Sequence, residues 1–452
     1  MRAGIFAGSA ERLLGVFRYV ERVSQINHGV ERLVLPVPVL LLALLLVTAA
    51  CDDSSELPST TQPSRPSSTS APSSTTSPAP TTTVAATTTT TGSPTLDGAR
   101  WFHQGVGMSS ATLASSGDIV LADDERVYVA DGFGIGPHPE YRVSAFDAVT
   151  GELVWQRDDL TTTDSVDDVF LQTLVGDTLI VNGQYDSVTA VESSSGDTIW
   201  SFELPEGYGA VRSVVVDDVV IVGTEAPRES DVRPPIVYAL DLADGSPLWE
   251  TPLADGMDLQ WSSPPVADGL VFVSSTLSHP NSASGNTIHA LDVSSGEVRW
   301  VADLGGDQGF HFYPALISGD HLVSMSPDGS AIALWVGDGS ETWIQPDAIP
   351  MAVDPDGTIY AYAQGVVQLD PVDGSAIPVA GADVLAMNVE GIVINDDQLI
   401  VTGRSGAIGI QLPDGQEAWR INAPEGVAPA AVSSSLLVIA FDTGVAVFDL
   451  PQ

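Results

Sequence analysis

The sequence predicts an all-β protein whose folded part, residues 97–452, is an eight-bladed β-propeller of four-stranded antiparallel blades closed by an N-terminal strand. Three observations carry that expectation. A short phrase recurs eight times at blade-like spacing. Short β-branched runs joined by Asp/Gly turns precede the copies. The half-phrase missing from the last copy stands at the start of the folded part.

Residues 1–32 are an N-terminal extension in which Glu11, Glu21 and Glu31 are mixed with arginines, unlike the basic start of an export signal. A translation start near Val30 restores such a start; peptides recovered from residues 1–25 exclude it. Residues 33–50 are apolar or small, follow Arg32 and end in Ala49-Ala50 before Cys51, the layout of a secretory signal. Ala-Ala-Cys resembles a bacterial lipobox, with Thr48 where leucine is commonest. The resemblance implies that Cys51 is lipidated and becomes the mature N-terminus, placing the protein outside the cytoplasm on the membrane of a bacterial envelope. The alternatives are an uncleaved anchor, since 18 residues are within spanning range although Pro36 and Pro38 interrupt them, and an incidental cysteine.

Residues 52–96 are a linker. Between residues 54 and 95, 32 of 42 residues are Ser, Thr or Pro, without apolar periodicity, so this stretch is expected to be disordered. Extended, it reaches about 130 Å; as a flexible coil, about 35 Å. It suits a spacer holding the folded part away from a membrane.

The recurring phrase is a small residue, an apolar residue, Asp, three residues, Gly, three residues and Trp. It reads Ala145-Phe146-Asp147, Gly151, Trp155; Ala239-Leu240-Asp241, Gly245, Trp249; and Ala290-Leu291-Asp292, Gly296, Trp300. Weaker copies are Val191-Glu192, Gly196, Trp200; Leu334-Trp335, Gly339, Trp343; Leu369-Asp370, Gly374, Pro378; and Ile410-Gln411, Gly415, Trp419. An eighth, Val447-Phe448-Asp449, stops before its glycine. The glycines step by 45, 49, 51, 43, 35 and 41 residues, one four-stranded blade each. Upstream hairpins are visible, as at 213–216 and 219–222 around Asp217-Asp218, and at 391–395 and 398–402 around Asp396-Asp397.

Each glycine supplies positive φ at the tip of the outer hairpin. The polar residue before it hydrogen-bonds within the turn. The tryptophan lies on the outer strand, placed to cover the joint with a neighbouring blade. Trp101, Trp155, Trp200, Trp249, Trp300, Trp343 and Trp419 are therefore expected to be docking residues. Each buries roughly 150–250 Å², at most about 4–6 kcal/mol before entropy. Asp97-Gly98-Ala99-Arg100-Trp101 supplies the half-phrase the eighth copy lacks, so residues near 100–105 are expected to complete the last blade beside residues 441–450.

With Ala-x-Asp-x-x-Thr-Gly-Glu-x-x-x-Trp at 145–155, the folded part resembles the tryptophan-docking repeats of pyrroloquinoline-quinone-type propellers. The resemblance implies the fold and leaves two kinds of role. Quinoprotein alcohol and sugar dehydrogenases of this type bind the quinone with calcium, and many carry a disulfide of adjacent cysteines over it; here Cys51 is the one cysteine. Similar eight-bladed lipoproteins are non-catalytic scaffolds of outer-membrane protein assembly. The chain is expected to be such a scaffold, a monomeric propeller with no cofactor and no bound metal, whose partner is a protein or envelope polymer. The alternatives are a quinone-dependent dehydrogenase and a cell-wall saccharide-binding module.

Charge narrows the partners further. The chain has 16 arginines, no lysine and 59 acidic residues, for a net charge of −43; from Cys51 onward 11 arginines face 56 acids. Such a field repels phosphate polyanions and excludes nucleic acid. At 44% hydrophobic residues the chain still has material for a large core.

Three insertions, 132–142, 225–235 and 276–286, are expected between the second and third strands of their blades, hence on one face. They gather Phe133, His138, Tyr141, Arg228, Arg233 and His279 as a candidate binding rim, with two arginines in an acidic protein its most distinctive feature; ordinary loop-length variation is the alternative. Asp354-Pro355-Asp356-Gly357 and the acids of 164–168 read as turn residues rather than calcium loops. The seven histidines show no metal-ligand pattern, and His311, in an aromatic-rich stretch, is placed either in the central channel or in blade packing. No nucleophile elbow, phosphate loop or paired-carboxylate motif is present.

Overall fold

The computed structural model describes residues 99–450 except 105–119, 134–139, 161–168, 184–186, 226–233, 254–256, 260–263, 278–285, 306–314, 381–388, 396–397, 404–405, 413–414, 423–426, 434 and 442–443. The described residues form eight antiparallel sheets and no helix. Blade 1 consists of Val120–Ala122, Arg126–Phe133, Glu140–Asp147 and Leu153–Arg157, paired in chain order. Blades 2 to 7 repeat that order over 169–203, 209–252, 257–305, 316–345, 349–380 and 389–422. First strands of neighbouring blades approach one another, so the first strand of each blade is innermost.

Blade 8 is built from both ends of the folded part. Val427–Val432, Leu436–Phe441 and Gly444–Asp449 pair in order, and Ala99–Gln104 supplies the fourth strand, with Trp101 opposite Val447 and His103 opposite Val445. Arg100 pairs with Asp449 at the start of this ladder.

The apolar core lies between blades. Ile180, Val188, Ala190 and Trp200 of blade 2 pack on Val220, Val222, Tyr238 and Leu240 of blade 3. Val127, Val129 and Phe146 of blade 1 meet Val438, Val445 and Val447 of blade 8, with Trp101 against them. Central strands read as continuous apolar runs because both their faces are covered.

Tryptophans lock six of these seams. The indole N–H donates to a turn carbonyl of the following blade: Trp101 to Ala148 (3.0 Å), Trp155 to Ser193 (2.8 Å), Trp200 to Leu242 (2.7 Å), Trp249 to Val293 (2.8 Å), Trp300 to Val336 (2.8 Å) and Trp343 to Pro371 (2.9 Å). Each ring lies on the glycine of that turn. At Gly245, φ +70°, a methyl group would sit 2.6 Å from Trp200 Cδ2; at Gly296, φ +69°, 2.5 Å from Trp249 Cε3. The glycine therefore serves both conformation and space. Between blades 6 and 7 the Val379 carbonyl lies against Gly415 instead.

Trp419 packs in the apolar cluster between blades 7 and 8, but its hydrogen bond differs from those of the other six. Its N–H donates to Gln398 Oε1 of its own blade (2.9 Å), and its ring lies over Gly409, where a methyl would overlap it. The cause is the closure: the third and fourth strands of blade 8 come from opposite ends of the chain, so no hairpin glycine awaits that indole. In blades 1 to 5 alanine stands opposite the tryptophan, as in Ala145–Trp155 and Ala239–Trp249. Two further differences concern boundaries. Both ends of the 132–142 insertion extend its hairpin, since Asp131–Arg142, Gly132–Tyr141 and Phe133–Glu140 are paired. The inner strand of blade 4 is split into Met257–Leu259 and Val266–Ala267, both on Leu270–Leu277.

Candidate partner-binding face

The second-to-third-strand connections emerge on the same face as the blade-to-blade links, because successive strands alternate in direction. On that face the connections of blades 3 and 4 run from Glu225 to Ile236 and from Leu277 to Asn286. Phe133 and Tyr141 are placed in the blade 1 ladder. His138, Arg228, Arg233 and His279 lie outside the described residues, as do Cys51, His311 and the acids of 164–168.

The roots of the blade 3 and blade 4 connections are fixed by buried polar groups. Thr224 Oγ1 accepts from the Ile236 amide at 2.9 Å and donates to its carbonyl at 2.8 Å, pinning both ends of the first connection. Tyr208 donates its hydroxyl to the Pro234 carbonyl at 3.1 Å. Under the second, Ser275 Oγ and Thr287 Oγ1 are 2.7 Å apart, and Thr287 Oγ1 and His289 Nε2 are 3.1 Å apart. Buried hydrogen bonds of this kind are costly to break, so they hold the connections in place.

Burial lowers the His289 pKa below its ordinary value. The folded imidazole then stays neutral where the unfolded one, near 6.5, already takes up a proton. The unfolded chain binds more protons, so this contribution is complete above pH about 6.5 and declines as pH falls through the window beneath it. His289→Gln is expected to flatten the pH dependence of the guanidinium midpoint below about pH 6.5. Asp303, across the ladder from Thr287, is the described acid nearest in register.

A second polar group lines the inner strands of blades 2 and 3. The Arg212 guanidinium stacks on the Phe170 ring at 4.9 Å. The Ser213 amide donates to Gln172 Oε1 at 2.7 Å, and its hydroxyl donates to Asn182 Oδ1 at 2.9 Å. Sequence reasoning passed over these residues. The one available signal was Arg212 itself, a lone charge in the run from Gly209 to Val216. Asp354 is a turn residue, its Oδ1 accepting from the Asp356 and Thr358 amides.

Together these features describe a ring of tryptophan-docked blades in which two adjacent blades have their second and third strands joined by longer stretches of chain, with the joined strand ends on one face. Over residues 72–227 and 233–377 the sequence matches the family described as outer membrane protein assembly factor BamB, and the chain belongs to that family. Among solved structures it is similar to the quinohemoprotein alcohol dehydrogenase of Comamonas testosteroni, with 12% identity, 78% of this chain and 77% of that one covered, and a TM-score of 0.57. The computationally designed Ika8 protein aligns at 12% identity over 77% of this chain and all of that one, TM-score 0.55. BamB from Moraxella catarrhalis aligns at 18% identity over 74% and 82%, TM-score 0.41. At these identities the likeness is one of fold. No curated protein matches the sequence.

The fold raises the question of a quinone held with calcium. Among the described residues no three His, Cys, Asp or Glu side chains come together to hold a cation.

Proposed function

We propose that the chain is an exported, lipid-anchored scaffold without catalytic activity, with residues 1–32 an extension, 33–51 the lipoprotein signal, 52–96 the tether and 97–452 the binding unit. Its partner is a protein of the cell envelope. The carrying observation is the pair of adjacent connections on blades 3 and 4, which leave one face and are rooted by the Thr224–Ile236 and Ser275–Thr287 hydrogen bonds. Loops held by a rigid frame are where binding residues concentrate. Membership of a family described as an assembly factor supports the same reading. Arg228 and Arg233, in the connection 226–235, are the cations that an acidic partner surface would meet.

The test is proximity labelling and cross-linking of the full chain in its native envelope. One dominant partner is expected, and an Arg228→Ala, Arg233→Ala double variant is expected to weaken its capture about tenfold or more while leaving the melting temperature unchanged. Dye-linked oxidation of alcohols or sugars after addition of quinone and calcium would overturn the proposal.

A further inference from the structure

Blade 5 breaks the repeat at a place where no seam requires it. The third strand of the strong copies ends in an aspartate that accepts turn amides: Asp147 from Val149 and Thr150, Asp241 from Ala243, and Asp292 from Ser294 and Ser295. Blade 5 has Trp335 there. Its turn forms without the carboxylate, with Gly339 N–H donating to the Trp335 carbonyl and Trp335 N–H to Ser340, each at 2.8 Å. The docking role in this blade belongs to Trp343, which is 7% exposed, whereas Trp335 is 40% exposed. A large apolar ring has thus displaced a turn-stabilising acid and been left in solvent.

The ring is nevertheless held. His321, its partner across the ladder, meets it edge-on with centroids 5.7 Å apart and planes at 85°. Gly337 lies beneath the indole N–H, where a methyl group would sit 2.9 Å from Nε1. Gly337 is not among the residues of positive φ, so space rather than backbone conformation calls for glycine. The equivalent positions of other blades carry Val149, Ser194, Ala243, Ser294 and Val372. Exposed residues of the two adjoining turns are Gly319, Asp320, Gly337, Asp338 and Ser340, all small or polar, and the strand that follows exposes Glu341, Thr342 and Ile344.

We infer that Trp335 is the stacking platform of a saccharide-binding site, on the face opposite the blade 3 and 4 connections, taking a neutral pyranose unit of a polymer. The axial C–H groups of such a ring are partially positive and lie flat on the negative face of an indole. The hydroxyls at its rim are donors, which the carboxylates of Asp320 and Asp338 accept. A protein-binding anchor has different surroundings: packing that excludes water, with acids depleted. The high negative charge of the chain selects against acidic glycans. This site is independent of the scaffold reading, since it shares no residue with the blade 3 and 4 connections.

The experiment titrates the full chain with maltotetraose, cellotetraose and N-acetylchitotetraose, following tryptophan fluorescence and calorimetric heat. At least one is expected to bind saturably below about 10 mM. Trp335→Asp, which restores the turn acceptor and so preserves folding, is expected to weaken that binding about tenfold or more, while Trp335→Phe keeps it within about tenfold. The Arg228, Arg233 double variant is expected to bind as the parent does. Absence of binding by all three sugars, or equal binding by Trp335→Asp, overturns the inference. So does loss of the cross-linked protein partner on Trp335→Asp, which makes the indole a protein anchor.

Discussion

Gly296→Ala is expected to destabilise the ring by about 2–5 kcal/mol, against about 1–2 kcal/mol for Gly319→Ala. Both glycines have positive φ, +69° and +57°. They differ in what surrounds them. Nothing lies within 4 Å of a methyl at 319, whereas a methyl at 296 would meet Trp249 Cε3 at 2.5 Å and Thr251 Oγ1 at 2.6 Å. Neither neighbour is free to retreat, since the indole N–H is bonded to Val293 and the Thr251 hydroxyl donates to the Gly296 carbonyl. The backbone penalty is common to both sites, and overpacking is added only at 296. Guanidinium midpoints at unchanged slope measure the difference. Equal losses at the two positions would show that the indole contributes nothing to the requirement for glycine.

Deleting residues 99–104 is expected to have a larger effect, promoting self-association and broadening the melt. The deletion uncovers one edge of Gly444–Asp449 and removes Trp101 from the seam with blade 1. Unpaired edges over apolar residues recruit other chains. Light scattering on a sizing column and thermal melts read both consequences. Arg100→Ala, which removes a partly exposed ion pair with Asp449, is expected to change stability by about 1 kcal/mol or less. A monomeric, sharply melting deletion variant would mean that the remaining three strands of blade 8 suffice.

The blades were legible because the sequence repeats a local requirement. A glycine with positive φ four residues before a tryptophan marks a tight turn and a long apolar side chain, and both recur from Gly151 onward. The closing strand was legible as the missing half of a phrase. Trp419 packs at the seam with blade 8, but its hydrogen-bond partner was not legible, because the phrase is local and the last copy lacks the turn that accepts from the other indoles. The polar groups at the candidate site were illegible for a similar reason. Arg212 and Phe170, or Ser213 and Asn182, join strands of different blades, and only the ring brings them together. Trp335 could be read from sequence as an irregular copy, but its partial exposure beside His321 depends on the third dimension.

The route by which the chain enters the ring has a mechanical consequence. Seven blades tie their outermost strand covalently to the strand beside it through a hairpin. Blade 8 does not, and its outermost strand is the one that continues toward the N-terminus. Tension applied upstream of Ala99 is therefore borne first by the rungs between Ala99–Gln104 and Gly444–Asp449 and by the Trp101 indole bond to Ala148, before any other blade feels load. The latch of the circle is also its fuse.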